Sequence, residues 1–178
     1  MNFGKLRIRF TLKALILVVG GCAVVMAIVH PIVDSHRRQR TAADELARIG
    51  GRIFWTDSRI PWLRRVETVE FLGVKLTHTH ASTVRRSLAE LDNLVALTIF
   101  QSQIDDAVLT EFGVCIGLER INLDGTTVRG LEWMANMSRL RYLSLVLSGV
   151  NDNDLQHLGH MPQLELVILA GNAISARG

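Results

Sequence analysis

Two histidine pairs have the spacing best suited to chemistry. His157 and His160 are three residues apart in a segment with helical periodicity, and two aspartates come just before them. Two imidazoles at this spacing can share a metal ion, but zinc needs a third ligand and supporting hydrogen bonds. His78 and His80 lie in a predicted loop and form an even less complete set. The sequence therefore predicts solvent-facing histidines and no metal site.

Motifs for covalent or phosphate chemistry are missing as well. The sequence contains no nucleophile elbow, phosphate-binding loop or spaced cysteine pair. Cys22 lies in an apolar segment and Cys115 far beyond it, so we expect no disulfide between them. We therefore predict no enzyme, no cofactor and no small-molecule substrate. An enzyme of unrecognised type is the alternative, which a bound metal or a titrating histidine pair would support.

Charge is distributed unevenly along the chain. Residues 1–65 hold 12 Lys and Arg against 4 Asp and Glu, whereas residues 66–178 hold 8 against 13. The net charge of +3 thus hides a basic N-terminal part and an acidic remainder. An acidic globular part repels a phosphate backbone, so we expect no binding to nucleic acid.

The N-terminal part predicts a membrane anchor. Residues 14–33 carry no formal charge and follow a basic tail, residues 1–13. Twenty helical residues span about 30 Å, the thickness of the hydrocarbon core of a bilayer. A cleaved signal peptide is less favoured, because apolar residues continue beyond the weak small-residue site near Ala27. A lipoprotein-type lipid attachment at Cys22 is disfavoured for the same reason. We expect a single-pass protein of a cell membrane, with the bilayer as one partner.

Residues 34–65 read as a connection between the anchor and the remainder. Thr41 is a candidate helix N-cap, and the pair Gly50 and Gly51 predicts the helix end. Residues 52–56 could form a short strand. The apolar segment 61–63 would suit covering the open end of a repeat stack. We therefore expect a juxtamembrane helix followed by a plug.

Residues 66–178 contain internal repeats, which are the most specific signal in the chain. Five segments, beginning at residues 66, 94, 118, 140 and 164, fit the pattern L-x-x-L-x-L-x-x-N-x-L. Every aligned core position is a large apolar residue: Val66, Val69, Phe71 and Leu76; Leu94, Leu97, Ile99 and Ile104; Leu118, Ile121, Leu123 and Val128; Leu140, Leu143, Leu145 and Val150; Leu164, Val167, Leu169 and Ile174. A polar residue of N-cap type follows most of these segments, and then a pair of apolar residues at helical spacing. Each repeat is predicted to be strand, turn and helix.

The position usually held by Asn is occupied by Val74, Ser102, Thr126, Ser148 and Asn172. Short polar side chains can bond the backbone of a turn and of the neighbouring coil. We expect this column to connect consecutive repeats.

Together, the basic start RIRFTLKALILVV, the Gly50–Gly51 helix end, the Trp62–Leu63 plug and the repeats resemble short membrane-anchored leucine-rich-repeat proteins of bacteria. The resemblance implies an α/β fold: a short solenoid of about five repeats behind one transmembrane helix. It also implies a non-catalytic protein-interaction module. We expect the repeats to lie outside the cytoplasm, since the short basic tail favours a cytoplasmic N-terminus.

A binding site on such a solenoid is expected on its concave face, formed by strand side chains that alternate with the core positions. The candidate binding residues are Phe100, Arg120, Asn122, Asp124, Tyr142, Ser144, Val146, Leu166 and Ile168.

The C-terminal end of the repeats suggests a different function. The fifth segment has a predicted strand but no predicted helix, and an open strand edge is a template for another chain. A structural protein that self-associates through this edge is therefore the alternative hypothesis.

Overall fold

In the computed structural model, residues 12–175 are described, apart from the side chains of residues 12–19 and of Trp62. The first element is one long helix, α1 (Leu12–Arg48). It covers the predicted anchor and the predicted juxtamembrane helix without a break. The helix ends where expected, because Gly50 adopts the left-handed backbone conformation, with φ of 96°.

The apolar part of α1 is exposed. All side chains of residues 20–30 are exposed, including Val24, Val25, Met26 and Ile28. Among the residues with described side chains, no helix is long and apolar enough to cross a membrane. The predicted span, residues 14–33, begins before residue 20, where the described side chains start. Of the basic tail, residues 1–13, only residues 12 and 13 are among the described residues. The transmembrane anchor stays a prediction.

Strands of consecutive repeats form one sheet. The strands are β1 (Gly51–Trp55), β2 (Val66–Leu72), β4 (Ala96–Phe100), β6 (Arg120–Asn122), β7 (Tyr142–Ser144) and β8 (Leu166–Ile168), in that spatial order. A small second sheet pairs β3 (Lys75–Leu76) with β5 (Gln103–Ile104). The five repeat strands are parallel, each beside the next in the chain. This is the predicted leucine-rich-repeat type of α/β architecture.

Helices on one side of the sheet complete the repeats. They are α2 (His78–Ala89), α3 (Asp106–Phe112) and α4 (Asp152–Leu158), and 3-10 turns occur at Pro61–Leu63 and Glu132–Met134. Thr77, Asp105 and Asn151 are the helix N-caps, as expected from their types. The third repeat departs from the expected helix and has only the 3-10 turn. It is the shortest of the first four repeats, and its Gly130 has positive φ, so too few residues are left for a helix.

The core positions of the first four repeats are buried, and those of the fifth are partly exposed. Leu123 and Leu145 are both fully buried in adjacent repeats. The polar column connects the repeats as expected. The buried Thr126 hydroxyl donates to the Ile99 carbonyl at 3.0 Å and accepts from the Ser102 amide at 3.2 Å. Each such side chain thus satisfies backbone groups of the preceding repeat.

The first repeat is covered by α1 and β1. Ala42, Ala43 and Leu46 of α1 are buried in the core, whereas Leu63 of the expected plug is exposed. Strand β1 adds to β2 in antiparallel direction. A helix can present a continuous apolar stripe, which the short 3-10 turn at 61–63 cannot, so α1 covers the first repeat instead of the expected plug.

Polar contacts also attach α1 to the repeats. The Glu45 carboxylate accepts hydrogen bonds from Ser87 Oγ at 3.0 Å and from Arg86 at 3.1 Å, both on α2. These two bonds lower the pKa of the Glu45 carboxyl. Gln39 is fully buried: its Oε1 accepts from the Val66 amide at 3.1 Å, and its Nε2 donates to Asp92. The helix is therefore fixed to the first strand.

We expect Gln39→Leu to weaken this attachment. The substitution leaves the buried Val66 amide without its acceptor, which destabilises a protein by about 1–3 kcal/mol. The free energy of unfolding of the full chain in detergent micelles, from urea titration, measures the loss. Arg40→Leu, one residue away at an exposed position, is the control and should change it by less than about 0.5 kcal/mol. Equal values for both variants would contradict the role of Gln39.

Candidate binding face

The predicted candidate residues share one face of the sheet, opposite the helices. The strand pairing places Ala96, Arg120, Tyr142 and Leu166 side by side in one row. A second row holds Thr98, Asn122, Ser144 and Ile168. Phe100, Asp124 and Val146 follow the second row by two residues in their repeats. We call this surface the concave face. All nine predicted residues therefore lie on it or at its C-terminal margin.

A hydrogen-bond network occupies the centre of the face. The Asp124 carboxylate accepts from Ser144 Oγ at 2.6 Å, from Asn122 Nδ2 at 3.1 Å and from the Val146 amide at 2.9 Å. Asn122 Oδ1 in turn accepts from the Asp124 amide at 2.9 Å. These side chains bond one another, and Ser144 is buried. The network joins the third and fourth repeats, which leaves contact with a partner to the residues around it.

Arg120 and Tyr142 lie beside this network in the first row. Arg120 is exposed, and among the described residues it takes part in no ion pair. Tyr142 is partly exposed next to it. Phe100 and Leu166 add exposed apolar surface on either side. Arginine and tyrosine are among the residue types that contribute most to protein–protein binding.

The margin of the face carries an unusual leucine. In all five repeats the residue that follows the margin has positive φ: Gly73, Gln101, Gly125, Leu147 and Gly171. Leu147 has φ of 53°, and 66% of its surface is exposed. A left-handed backbone costs a residue other than glycine about 1–2 kcal/mol. Leu147 therefore presents an exposed apolar side chain at a position where glycine would fit without this cost.

Sequence reasoning missed three residues of this surface. Arg52 and Phe54 of β1 extend the two rows, since they pair with Glu70 and Thr68. The Arg52 guanidinium lies 5.9 Å from the centre of the Phe54 ring. Alternation in residues 51–55 could have indicated both side chains, but only the antiparallel pairing places them on this face. Leu147 was missed because its backbone conformation carries no clear sequence signal.

The histidines do not come together as metal ligands. His157 Nε2 lies 3.3 Å from Glu132 Oε1, whereas His160 Nδ1 lies 3.0 Å from the Gln156 carbonyl. His80 Nδ1 instead accepts from the Thr77 amide at 3.0 Å as part of the α2 cap. Among the described residues, no group of three His, Cys, Asp or Glu side chains could hold a metal.

The two cysteines lie in different environments. Cys22 is exposed on α1, whereas Cys115 is buried in the repeats. Burial raises the pKa of the Cys115 thiol to about 12, so the reactive thiolate is scarce near neutral pH. Neither cysteine therefore supports nucleophilic chemistry at the concave face.

Comparison with known proteins gives distant likenesses. No family model matches the chain. The receptor-like protein EIX1 of Solanum lycopersicum is 24% identical over 147 residues, which cover 81% of this chain and 14% of that protein. This chain thus spans only a small part of the relative's length.

Two solved structures give partial matches. An internalin from Listeria monocytogenes has 20% identity and a TM-score of 0.46, over 59% of this chain and 36% of that chain. The leucine-rich-repeat ectodomain of the receptor kinase SOBIR1 from Arabidopsis thaliana has 16% identity and a TM-score of 0.43, over 78% and 92%. The leucine-rich-repeat architecture is seen in the register of the chain's own parallel strands.

Proposed function

We propose that the chain is a membrane-tethered module that binds a protein partner through the concave face and catalyses no reaction. The observation that carries this proposal is the exposed Arg120 and the partly exposed Tyr142 beside the Asp124 hydrogen-bond network. The network fixes the face before a partner arrives, which lowers the entropic cost of binding. The exposed apolar residues Phe100, Leu147 and Leu166 supply area that a partner would remove from water.

Photo-cross-linking in membranes of the source cells tests this function. A photoreactive residue placed at Tyr142 should give a discrete cross-linked product, and one at Thr110, exposed on α3, should give none. We expect Arg120→Glu to reduce the product strongly, because a central Arg contact is often worth 2 kcal/mol or more, roughly 30-fold in affinity. Leu147→Gly should reduce it too while keeping the fold, since its φ already suits glycine.

Arg139→Glu makes the same charge change at an exposed position outside the two rows and serves as the control. Its product should match that of the unchanged chain. Equal loss in both charge variants would mean that net charge, and not the concave face, governs binding. Cross-linking from Thr110 as strong as from Tyr142 would assign the partner to the helical side.

The proposed tether is α1. Its exposed apolar side chains around Met26 continue an uncharged sequence run that starts at residue 14. In water this surface would be unfavourable, whereas a hydrocarbon layer removes the penalty. Residues 14–33 are proposed to cross the membrane of a bacterial cell. The likeness to a receptor-like protein supports placing the repeats on the non-cytoplasmic side.

Alkaline carbonate extraction checks the tether. We expect the full chain to stay in the membrane pellet, because a spanning helix resists removal by high pH, unlike a peripheral protein held by charge. Val25→Lys with Ile28→Lys should move it to the supernatant, since each charge in a span costs about 2.5–3.5 kcal/mol. Exposed Arg37→Lys is the control. Release of the unchanged chain would contradict the tether.

Self-association is the second candidate. Among the described residues β8 pairs with β7 alone, and half of the Leu166 surface is exposed beside it. An open edge of this kind can pair with a second copy. Light scattering of the full chain in detergent distinguishes the candidates: Val167→Lys with Ile168→Lys should convert a dimer to a monomer. A monomer before substitution would exclude self-association.

A further inference from the structure

The segment between β1 and β2 is a loop of fixed shape. Its base is closed by two hydrogen bonds: the Thr56 amide donates to the Arg65 carbonyl at 2.8 Å, and the Arg65 amide donates to Thr56 Oγ1 at 2.9 Å. Inside the loop, Arg64 Nε donates to the Ser58 carbonyl at 3.0 Å. The 3-10 turn Pro61–Leu63 adds a hydrogen bond from the Leu63 amide to the Ile60 carbonyl at 3.0 Å. We call residues 57–64 the basic loop.

The basic loop presents apolar and cationic side chains together. Ile60 and Leu63 are 42% and 43% exposed, although both are large and apolar. Arg59 and Arg64 are exposed beside them in the sequence, against one acidic residue in the loop, Asp57. Exposed apolar groups flanked by cations are the composition of segments that lie in the interfacial layer of a membrane. The fixed shape means that little entropy is lost when these side chains insert.

The position of the loop on α1 decides what it can contact. Its 3-10 turn packs against α1. His36 Nδ1 lies 3.2 Å from the Arg64 carbonyl, and the His36 ring lies 5.8 Å from that of Trp55. His36 follows the proposed span by three residues, about 4–5 Å along the helix. The loop is therefore attached to α1 at the level where the proposed span leaves the hydrocarbon core. Arg37 and Arg40 are exposed on the same stretch of helix.

We propose that the basic loop is a second membrane contact, which inserts Ile60 and Leu63 among anionic lipid headgroups beside α1. Arg59, Arg64 and Arg37 would meet the headgroup charge, and each basic residue near such a surface contributes roughly fivefold to the affinity. The inference rests on the proposed tether. Because Gln39 and Leu46 fix α1 to the repeats, contact at two points sets the tilt of the concave face relative to the membrane.

Lipid quenching of single fluorophores tests this placement. The full chain is reconstituted into nanodiscs that contain spin-labelled lipid, with an environment-sensitive dye attached to a cysteine. Three variants are compared, Met26→Cys, Ile60→Cys and Ile116→Cys, each in a Cys22→Ser background. Cys115 is buried and can stay. Ile116 is 60% exposed in the second repeat and serves as the matched control for Ile60.

We expect strong quenching at positions 26 and 60 and none at 116. The emission at 60 should shift further to the blue when phosphatidylglycerol replaces half of the phosphatidylcholine, and Arg59→Gln should reduce that shift. Quenching at position 26 without quenching at position 60 would overturn the second contact and leave the tether intact. A blue shift at position 60 without quenching would also overturn it, because the dye would then be shielded by protein and not by lipid. No quenching at 26 would overturn the tether itself. An unchanged emission at 60 in phosphatidylglycerol would overturn the role of anionic headgroups.

Discussion

Leu123→Ala is expected to destabilise the repeats by about 2–5 kcal/mol, because truncating a buried Leu loses transfer free energy and leaves a cavity. Leu123 is fully buried at the third core position of the third repeat. Its backbone is fixed on both sides, since its amide donates to the Ser144 carbonyl at 2.8 Å and its carbonyl accepts from Ser148 Oγ at 2.8 Å. The surroundings can therefore not collapse easily into the cavity. Urea unfolding of the full chain in detergent, followed by tryptophan fluorescence, measures the loss.

Leu166→Ala provides the matched control for this substitution. Leu166 also lies in a repeat strand, but half of its surface is exposed and its side chain is on the opposite face of the sheet. We expect it to shift the unfolding midpoint much less than Leu123→Ala. If the two variants lost equal stability, the alternation of core and surface positions in these strands would be wrong.

The sequence predicted the repeats well because their core is periodic. A strand residue that must be buried in every repeat recurs at a fixed place, as Val69, Leu97, Ile121 and Leu143 do. Strict alternation then determines the opposite face, so the rows containing Arg120 and Asn122 followed directly. The same argument fails for the helix predicted in the third repeat. There the length of the repeat, and not the periodicity of its apolar residues, decides between a helix and the observed 3-10 turn.

Coverage of the first repeat was harder to predict because it is not repeated. Ala42 and Gln39 are buried on α1, but Ala is neutral in a helix and Gln is common on surfaces. Gln39 lies in a run of charged residues, and only the tertiary structure brings the Val66 amide to it. The spacing of Gln39, Ala42 and Leu46 on one helical face was the available signal. This spacing is a weak signal, because the sequence does not show which surface that helical face packs against.

The candidate binding site stays a prediction: alternation placed its residues on one face of the sheet but could not give the role of each side chain. Alternation places Asp124 and Ser144 at the face, yet it cannot show that their polar atoms bond each other. The sequence therefore cannot show that Asp124 and Ser144 are already hydrogen-bonded to each other. Nor can it show that Arg120, unlike them, keeps its side chain out of any ion pair among the described residues. Leu147 could not be singled out from the sequence, because what distinguishes it is its positive φ.

Phe112→Ala is expected to separate the first repeat from the others, with a loss of about 3–5 kcal/mol. The Phe112 ring is fully buried on α3 and contacts the Phe71 ring of β2 edge-on, with ring centres 6.2 Å apart. This pair joins the first two repeats directly. In a solenoid each repeat depends on its neighbours alone, so the damage should stay near the substituted interface.

Hydrogen exchange measured by mass spectrometry resolves this expectation along the chain. Amides of β2 and β4 should lose protection in Phe112→Ala, whereas those of β7 should keep most of theirs. Phe112→Leu retains most of the apolar volume, so its amide protection in β2 and β4 should lie between that of Phe112→Ala and that of the unchanged chain. Phe100→Ala removes a partly exposed ring from β4 and should leave β2 protected. Uniform loss of protection from β2 to β8 in Phe112→Ala would mean that the repeats unfold as one cooperative unit. The covering of the first repeat by α1 would then stabilise the concave face indirectly, because Arg120 and Tyr142 would depend on contacts made as far away as Gln39.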